Sequence, residues 1–339
     1  MEGFYDSLDI HRLMLRDDIR NRAYRDALRA TVKPGDVVLD FGAGTGILSL
    51  FASQAGAVRV FAVERTSVVH LAREIVARNG LADHITVMHG DIVGIQLPQQ
   101  VDVLVSEWLG TFGVDENMLA PLLVARDRWL KPGGKMLPGN VTAWMAPLWN
   151  SELDFDLSLS RGRLYGLDLQ LVAEQTAQEV TWARQPLKEV DLMAAPQPMW
   201  VTEVYSYPTE KARLPFRASL SFTAARSGKV NALTAWFTAE FGAGIRLTNS
   251  PAAPQTHWGQ YLLPLRATVQ VTQETPIKVE FTCIPVAPGY CAQAWSVRIG
   301  GGPWEHHDTR RSPALAGSGR SFSACSSSSA AAIPSSFGS

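Results

Sequence analysis

The chain is 339 residues long, 46% hydrophobic, with 31 basic residues against 32 acidic ones. That is enough apolar material for a substantial core and two domains, and a net charge of −1 leaves no electrostatic footprint for nucleic acid. No apolar run approaches the length of a membrane span, the N-terminus mixes acids with bases unlike a signal peptide, and Cys283, Cys291 and Cys325 lack metal-like spacing, so a soluble cytoplasmic protein with buried structural thiols is expected.

Residues 9–30 are predicted to be helical, with Ile10, Leu13, Met14, Ile19, Tyr24 and Leu28 at helical spacing. Pro34, Gly35 and Asp36 make a turn. Residues 37–41 form a buried strand, 42–46 a loop, and 47–55 begin a helix. A second strand over 58–63 ends at Glu64, and a helix over 68–79 is closed by Gly80. Strands at 85–88 and 101–105 follow, then a Pro-Gly-Gly turn leads to a strand near 135–137. Strands alternating with helices predict right-handed crossovers and a parallel sheet. After about residue 145 the pattern changes. Alternating runs at 218–222, 232–237, 267–271 and 277–281 predict an antiparallel second domain. The strand pattern lapses near Gly300, where the last strands of the fold are expected to be altered or missing. The stretch 312–339 is dominated by Ser, Ala and Gly and is expected to be disordered.

Two features carry chemistry. The first is the loop Asp40-Phe41-Gly42-Ala43-Gly44-Thr45-Gly46 between a strand and a helix. Its glycines let the backbone pass close to a ligand. A dinucleotide fingerprint would read G-x-G-x-x-G with phosphate at the helix N-terminus, whereas this loop reads G-x-G-x-G after an acid. Asp40 repels phosphate but suits the aminopropyl part of S-adenosylmethionine. Glu64, at the end of the next strand, stands where a carboxylate accepts hydrogen bonds from ribose hydroxyls. A nucleotide or flavin domain is the competing reading of the loop alone. The second feature is Glu107 and Glu116, which bracket a loop directly after an apolar strand. A guanidinium carries five donors in a fixed fork that carboxylates match in bidentate fashion. A methyl-donor site beside two carboxylates points to an enzyme acting on arginine side chains.

With these motifs together the chain resembles the protein arginine N-methyltransferase family. Residues 37–46 look like the family's first cofactor motif, Phe61-Ala62-Val63-Glu64 like its ribose-binding strand end, and Ser106-Glu107-Trp108 with Glu116 like its double-glutamate loop. Thr256-His257-Trp258 resembles its threonine-histidine-tryptophan loop. The resemblance runs from about residue 4 to about 284. It implies a Rossmann-like class I methyltransferase domain followed by an antiparallel β-barrel-like domain. The corresponding division is a cofactor-covering helical segment (1–33), the cofactor domain (34–145), the barrel-like substrate domain with a dimerisation arm at about 146–180 (146–311), and the tail (312–339).

The resemblance also implies roles. S-adenosyl-L-methionine is the cofactor, with Arg20 on its methionine carboxylate and His11 facing it. Asp40, Gly42, Gly44, Gly46 and Glu64 complete the cofactor set, and Met14 and Met118 flank the active site. Glu107 and Glu116 clamp the substrate guanidinium, and Asp17 hydrogen-bonds His257 across the domains. The substrate is an arginine-containing protein or peptide and the enzyme is a homodimer; Met14 and Met118 match the subgroup making asymmetric dimethylarginine, while the small-residue run Gly110 to Val114 fits a monomethyl or symmetric dimethyl product equally. The sequence departs from the family at Leu8, where a second tyrosine is common, and at Val93, where an acid often contacts adenine. A proton leaves through His257 with Asp17, or through Glu116. A small-molecule methyltransferase of the same fold and a weakly catalytic scaffold remain the alternatives.

Overall fold

A computed structural model describes residues 5–159, 163–287 and 289–311; Cys325 and the Ser-rich stretch 312–339 lie outside them. The N-terminal region is two helices, α1 (Leu8–Arg16) and α2 (Asp18–Thr31), not the single helix that the spacing predicts. The break is at Asp17. Its side chain accepts from the Arg20 amide, so it N-caps α2, and its own amide closes α1 on the Met14 carbonyl. The apolar spacing continues across the break, which is why periodicity alone could not reveal it.

A five-stranded parallel sheet follows. It comprises β1 (Val37–Phe41), β2 (Arg59–Glu64), β3 (Ile85–His89), β4 (Val101–Ser106) and β5 (Leu130–Leu137). The helices α3 (Ile47–Gln54), α4 (Val69–Arg78) and α5 (Leu119–Trp129) connect its strands. The strand order is β3-β2-β1-β4-β5. All five residues of β1 are buried, as expected of a central strand in a sheet covered on both faces. The order reverses between β1 and β4, and ligands of open parallel sheets bind in the crevice outside such a switch point. Both chemistry-bearing loops leave the carboxyl ends of these two strands.

Sheet membership changes at residues 138–139, after the cis peptide between Leu137 and Pro138. β6 (Asn140–Leu148) already pairs with strands from the second half of the chain. An arm follows: α6 (Ser151–Leu159), the two-residue strands β7 (Arg163–Leu164) and β8 (Leu167–Asp168), then α7 (Gln170–Thr176). Next come β9 (Thr181–Trp182), β10 (Gln197–Glu203), β11 (Phe216–Thr223), β12 (Gly228–Glu240), β13 (Arg246–Thr248) and β14 (Tyr261–Val271). β15 (Pro276–Ala287), β16 (Tyr290–Ile299) and β17 (Glu305–Asp308) complete the chain.

The described antiparallel strands form a six-stranded sheet, a four-stranded sheet and the two-stranded β7–β8 ribbon of the arm, rather than a single closed barrel. Trp295 of β16 donates to the Pro264 carbonyl of β14 at 3.1 Å, linking them. The expected lapse near Gly300 is corrected here, since β17 pairs with β16 and buried His307 stacks on Trp295. One large apolar core runs through both halves, from Leu39 and Val105 to Phe237 and Phe281. Cys283 and Cys291 are buried free thiols on the β15–β16 hairpin, as expected.

Candidate active site

A cavity of about 470 Å³ opens at the switch point, within the range of small-molecule sites. His11, Met14, Arg20, Gly42, Gly44 and Glu64 line it on one side. Glu107, Glu116 and Met118 line it on the other. Asp40, Gly46, Asp17 and His257 are not on its wall.

The cofactor side is built by backbone geometry. Gly42, Gly44 and Gly46 have φ of +73°, +54° and +85°, a region open to glycine at little cost. At Gly44 a Cβ would also meet the His11 ring at 3.1 Å. The Gly44 amide donates to Glu64 Oε2 at 2.8 Å, while Glu64 Oε1 accepts from the amide and the hydroxyl of Thr66, each at 2.7 Å. The loop and the strand-end carboxylate thus hold each other in place. Asp40 lies fully buried beneath the loop, where Ser49 donates to its Oδ2 at 2.6 Å. Burial raises its pKa to about 7, only partly opposed by Ser49. Among the described residues, Asp40 Oδ1 and Arg20 Nε have no hydrogen-bond partner. Arg20 is buried, with Nη2 at 3.4 Å from Glu107 Oε2 and Nη1 donating to Asn21 at 2.9 Å.

The acceptor side is rigid where it begins and tied down where it ends. Ser106, at the end of β4, donates to the Phe41 carbonyl, and its own carbonyl accepts from the buried Tyr24 hydroxyl. This fixes the backbone from which Glu107 projects. At the far end Asp115 accepts from the Thr111 and Phe112 amides at 3.0 and 3.1 Å. Its carbonyl accepts from the Cys291 amide, and Asn117 Nδ2 donates to the Ala287 carbonyl. The Glu116 backbone is therefore held between a tight loop and the β15–β16 hairpin. Glu116 Oε1 accepts from the Tyr5 hydroxyl at 2.7 Å. Burial, then the nearby Asp115 and Glu107 carboxylates, push the Glu116 pKa up to about 8. Burial likewise raises Asp115 to about 6.

Asp17 and His257, 240 residues apart in sequence, are joined by two contacts. Asp17 Oδ2 accepts from the His257 amide at 2.8 Å and lies 2.7 Å from its Nδ1. Burial opposes ionisation of Asp17, but the bonds from His257 and from the Arg20 amide outweigh it and hold the carboxyl below the usual range. Its contribution is therefore present above the ordinary Asp value and is lost as pH falls through the depressed one. Asp17→Ala removes a helix cap and two interdomain bonds together. We expect a loss of about 2 kcal/mol or more, read from the midpoint of urea unfolding; a midpoint equal to that of the parent protein would show the contact to be idle.

Sequence reasoning assigned no role to Tyr5, Asp115 or Asn117. Tyr5 sits in the N-terminal aromatic motif, but nothing local shows its reach to Glu116. The Asp-Glu pair at 115 and 116 was the only signal that a second carboxylate supports the loop. Asn117 has φ +52°, a left-handed conformation that asparagine tolerates and that spacing alone does not reveal.

A family model described as the arginine methyltransferase oligomerization subdomain matches residues 141–290, and one described as ribosomal protein L11 methyltransferase (PrmA) matches residues 25–136. The chain is 36% identical to protein arginine N-methyltransferase 6 of Danio rerio over 301 residues, 83% of each chain. It is 34% identical to the Xenopus laevis protein of the same name, covering 88% of this chain and 91% of that one. Among solved structures it is similar to the Trypanosoma brucei PRMT1 enzyme-prozyme heterotetrameric complex with AdoHcy. The TM-score is 0.81 at 29% identity, covering 90% of this chain and 98% of that one. Arabidopsis thaliana protein arginine methyltransferase 10, in an open conformation, gives a TM-score of 0.76 at 25% identity, over 90% of this chain and 99% of that one.

Proposed function

The chain belongs to the protein arginine N-methyltransferases, and from that premise we propose how its cavity methylates arginine with S-adenosyl-L-methionine. The reading is carried by one observation: two carboxylates from the loop after β4 share a single cavity with the glycine loop after β1, at the switch point of the sheet. The cofactor side fits its ligand. A buried arginine with an unpartnered Nε faces the cavity, and Glu64 is an acceptor-only group on its wall. In this reading Arg20 holds the methionine carboxylate, Glu64 the ribose hydroxyls, and Gly42 and Gly44 give close passage. His11, Met14 and Met118 shape the walls, while Asp40 and Gly46 brace the loop from below. When bound, S-adenosyl-L-methionine would supply a methyl group on a cationic sulfur.

Arginine arrives protonated, because its pKa exceeds about 12. Glu107 and Glu116 clamp the guanidinium, orient one terminal nitrogen and offset positive charge. Such positioning and preorganised charge are worth several kcal/mol, roughly 7–11 for orientation in favourable cases. Arg20 lies against Glu107 and Tyr5 against Glu116, so the substrate guanidinium joins a site whose carboxylates already have partners. The raised proton affinity of Glu116, and its place on the cavity wall, favour it over His257 as the group that takes the departing proton. Asp17 and His257 then position α2 and its Arg20. Met14 and Met118 on the wall support asymmetric dimethylarginine as the product.

The test is transfer of labelled methyl from S-adenosyl-L-methionine to an arginine peptide, with a lysine-substituted control and amino-acid analysis of the product. Label on arginine is expected; cofactor binding without transfer would favour a scaffold. A pH profile follows from Glu116. A neutral carboxyl clamps poorly, so kcat/KM rises with pH through a midpoint near 8 and then levels. A flat profile between pH 6.5 and 9 would remove Glu116 from the clamp. The arm exposes Phe155 (61%), Leu167 (63%) and Leu171 (66%). Burying them against a second copy supports a homodimer, and a monomer at every concentration in sedimentation would count against it.

A further inference from the structure

We propose that Arg213 sets substrate preference at the mouth of the cavity: it reads a carboxylate on a residue next to the target arginine and disfavours arginine- and lysine-rich tracts. This rests on the arginine-methylation reading above and concerns which arginines the site accepts.

Arg213 ends a short 3-10 turn, Lys211–Arg213. The turn is anchored from within. The Leu214 amide bonds to the Lys211 carbonyl, and Ala212 packs against the core. Lys211 and Arg213 themselves are exposed. Arg213 lines the cavity that holds both glutamates, as do Pro285 and Val286 of β15. Lys211 lines a smaller cavity beside it, and the two cavities share Asn117 and Pro285. Asn117 directly follows Glu116, so the turn places two cations along one lip of the acceptor side.

A cation on this wall repels the substrate, itself a cation, unless something offsets it. The acids of the cavity are already engaged. Glu107 faces Arg20, Glu116 accepts from Tyr5, Glu64 from Gly44 and Thr66, and Asp91 from the Val93 amide. Arg65 is a second exposed cation on the wall, and its charge also reaches Glu116, so Arg213 adds to positive charge already present at the acceptor end. Among the described residues the Arg213 guanidinium has neither a hydrogen bond nor an ion pair. Glu210, its nearest acid in sequence, lines neither cavity. Leu214 (61% exposed), next to it in sequence, and Val286 (57%), on the lining of the same cavity, give a peptide backbone apolar surface to lie along. A guanidinium fork free at such a lip matches a carboxylate in bidentate fashion. The net charge of −1 adds no long-range field that would gather polybasic tails in spite of it.

The experiment measures kcat/KM on three peptides with one arginine, flanked by glutamate, alanine or lysine, for the wild type and for Arg213→Glu. The wild type is expected to favour the glutamate-flanked peptide. Arg213→Glu is expected to lower kcat/KM on that peptide and raise it on the lysine-flanked one, shifting their ratio by about tenfold at low ionic strength and by less in salt. A gain on one peptide cannot come from a misfolded variant. Arginine labelling with the same ranking in both proteins, or a wild type that favours lysine flanks, overturns this proposal alone. No arginine labelling on any of the three peptides overturns the methylation reading and this proposal with it.

Discussion

Glu116→Gln is expected to lower kcat on an arginine peptide by about 10²–10³-fold, the cost of removing one preorganised charge from a transition-state site. Glutamine keeps the shape and one acceptor oxygen, so the Tyr5 hydroxyl retains a partner and the loop keeps its course. Affinity for S-adenosyl-L-methionine should hardly change. Glu107→Gln should cost as much in kcat, with a different signature. Glu107 lies 3.4 Å from the buried Arg20 guanidinium, so neutralising it leaves that cation less compensated at the cofactor end. Cofactor affinity should therefore move along with turnover. Single-turnover rates and cofactor titrations on both variants separate the two roles. Full turnover in either variant would refute the clamp.

Gly110→Ala should be nearly as damaging although it adds only one methyl group. Gly110 has φ +51°, where a side chain costs about 1–2 kcal/mol. The added Cβ would also lie 2.5 Å from Asp115 Oδ1 and 3.0 Å from Glu116 Cγ. Asp115 cannot step aside cheaply, because the Thr111 and Phe112 amides hold both its oxygens. Relief must come from the loop itself, carrying Glu116 with it. A displacement of about 1 Å can cost about a hundredfold in rate. The expected result is a fall of that order in kcat/KM with cofactor affinity kept. Activity at the parental level would mean that the loop is softer than its hydrogen bonds suggest.

The parallel sheet was legible because its evidence is local. Apolar strands, helical spacing and the glycine loop each declare themselves within about ten residues. Both glutamates were legible for the same reason, since each lies close to the end of one strand. Tyr5 was not, because its hydroxyl meets Glu116 across 111 residues of sequence. The helix break at Asp17 was hidden by apolar residues that keep their period through it, and the capping role is visible only once Arg20 and His257 are in place. The antiparallel half showed its strands but not their division into separate sheets, which depends on pairings such as β12 with β6 across nearly a hundred residues. The strand at Glu305–Asp308 was missed because a short His-His-Asp run after three glycines does not alternate.

The contact between Asp17 and His257 bears on the order in which the protein matures. A ribosome delivers α1 and α2 first and residue 257 more than two hundred residues later. At roughly 5–20 residues per second, the helices wait about ten seconds or longer for their second anchor. During synthesis the nascent chain can assemble its parallel sheet while Asp17, which caps α2, still lacks its His257 partner. The tie that joins the N-terminal helices to the antiparallel half is therefore among the last contacts to form, whatever the order in which the sheets themselves fold.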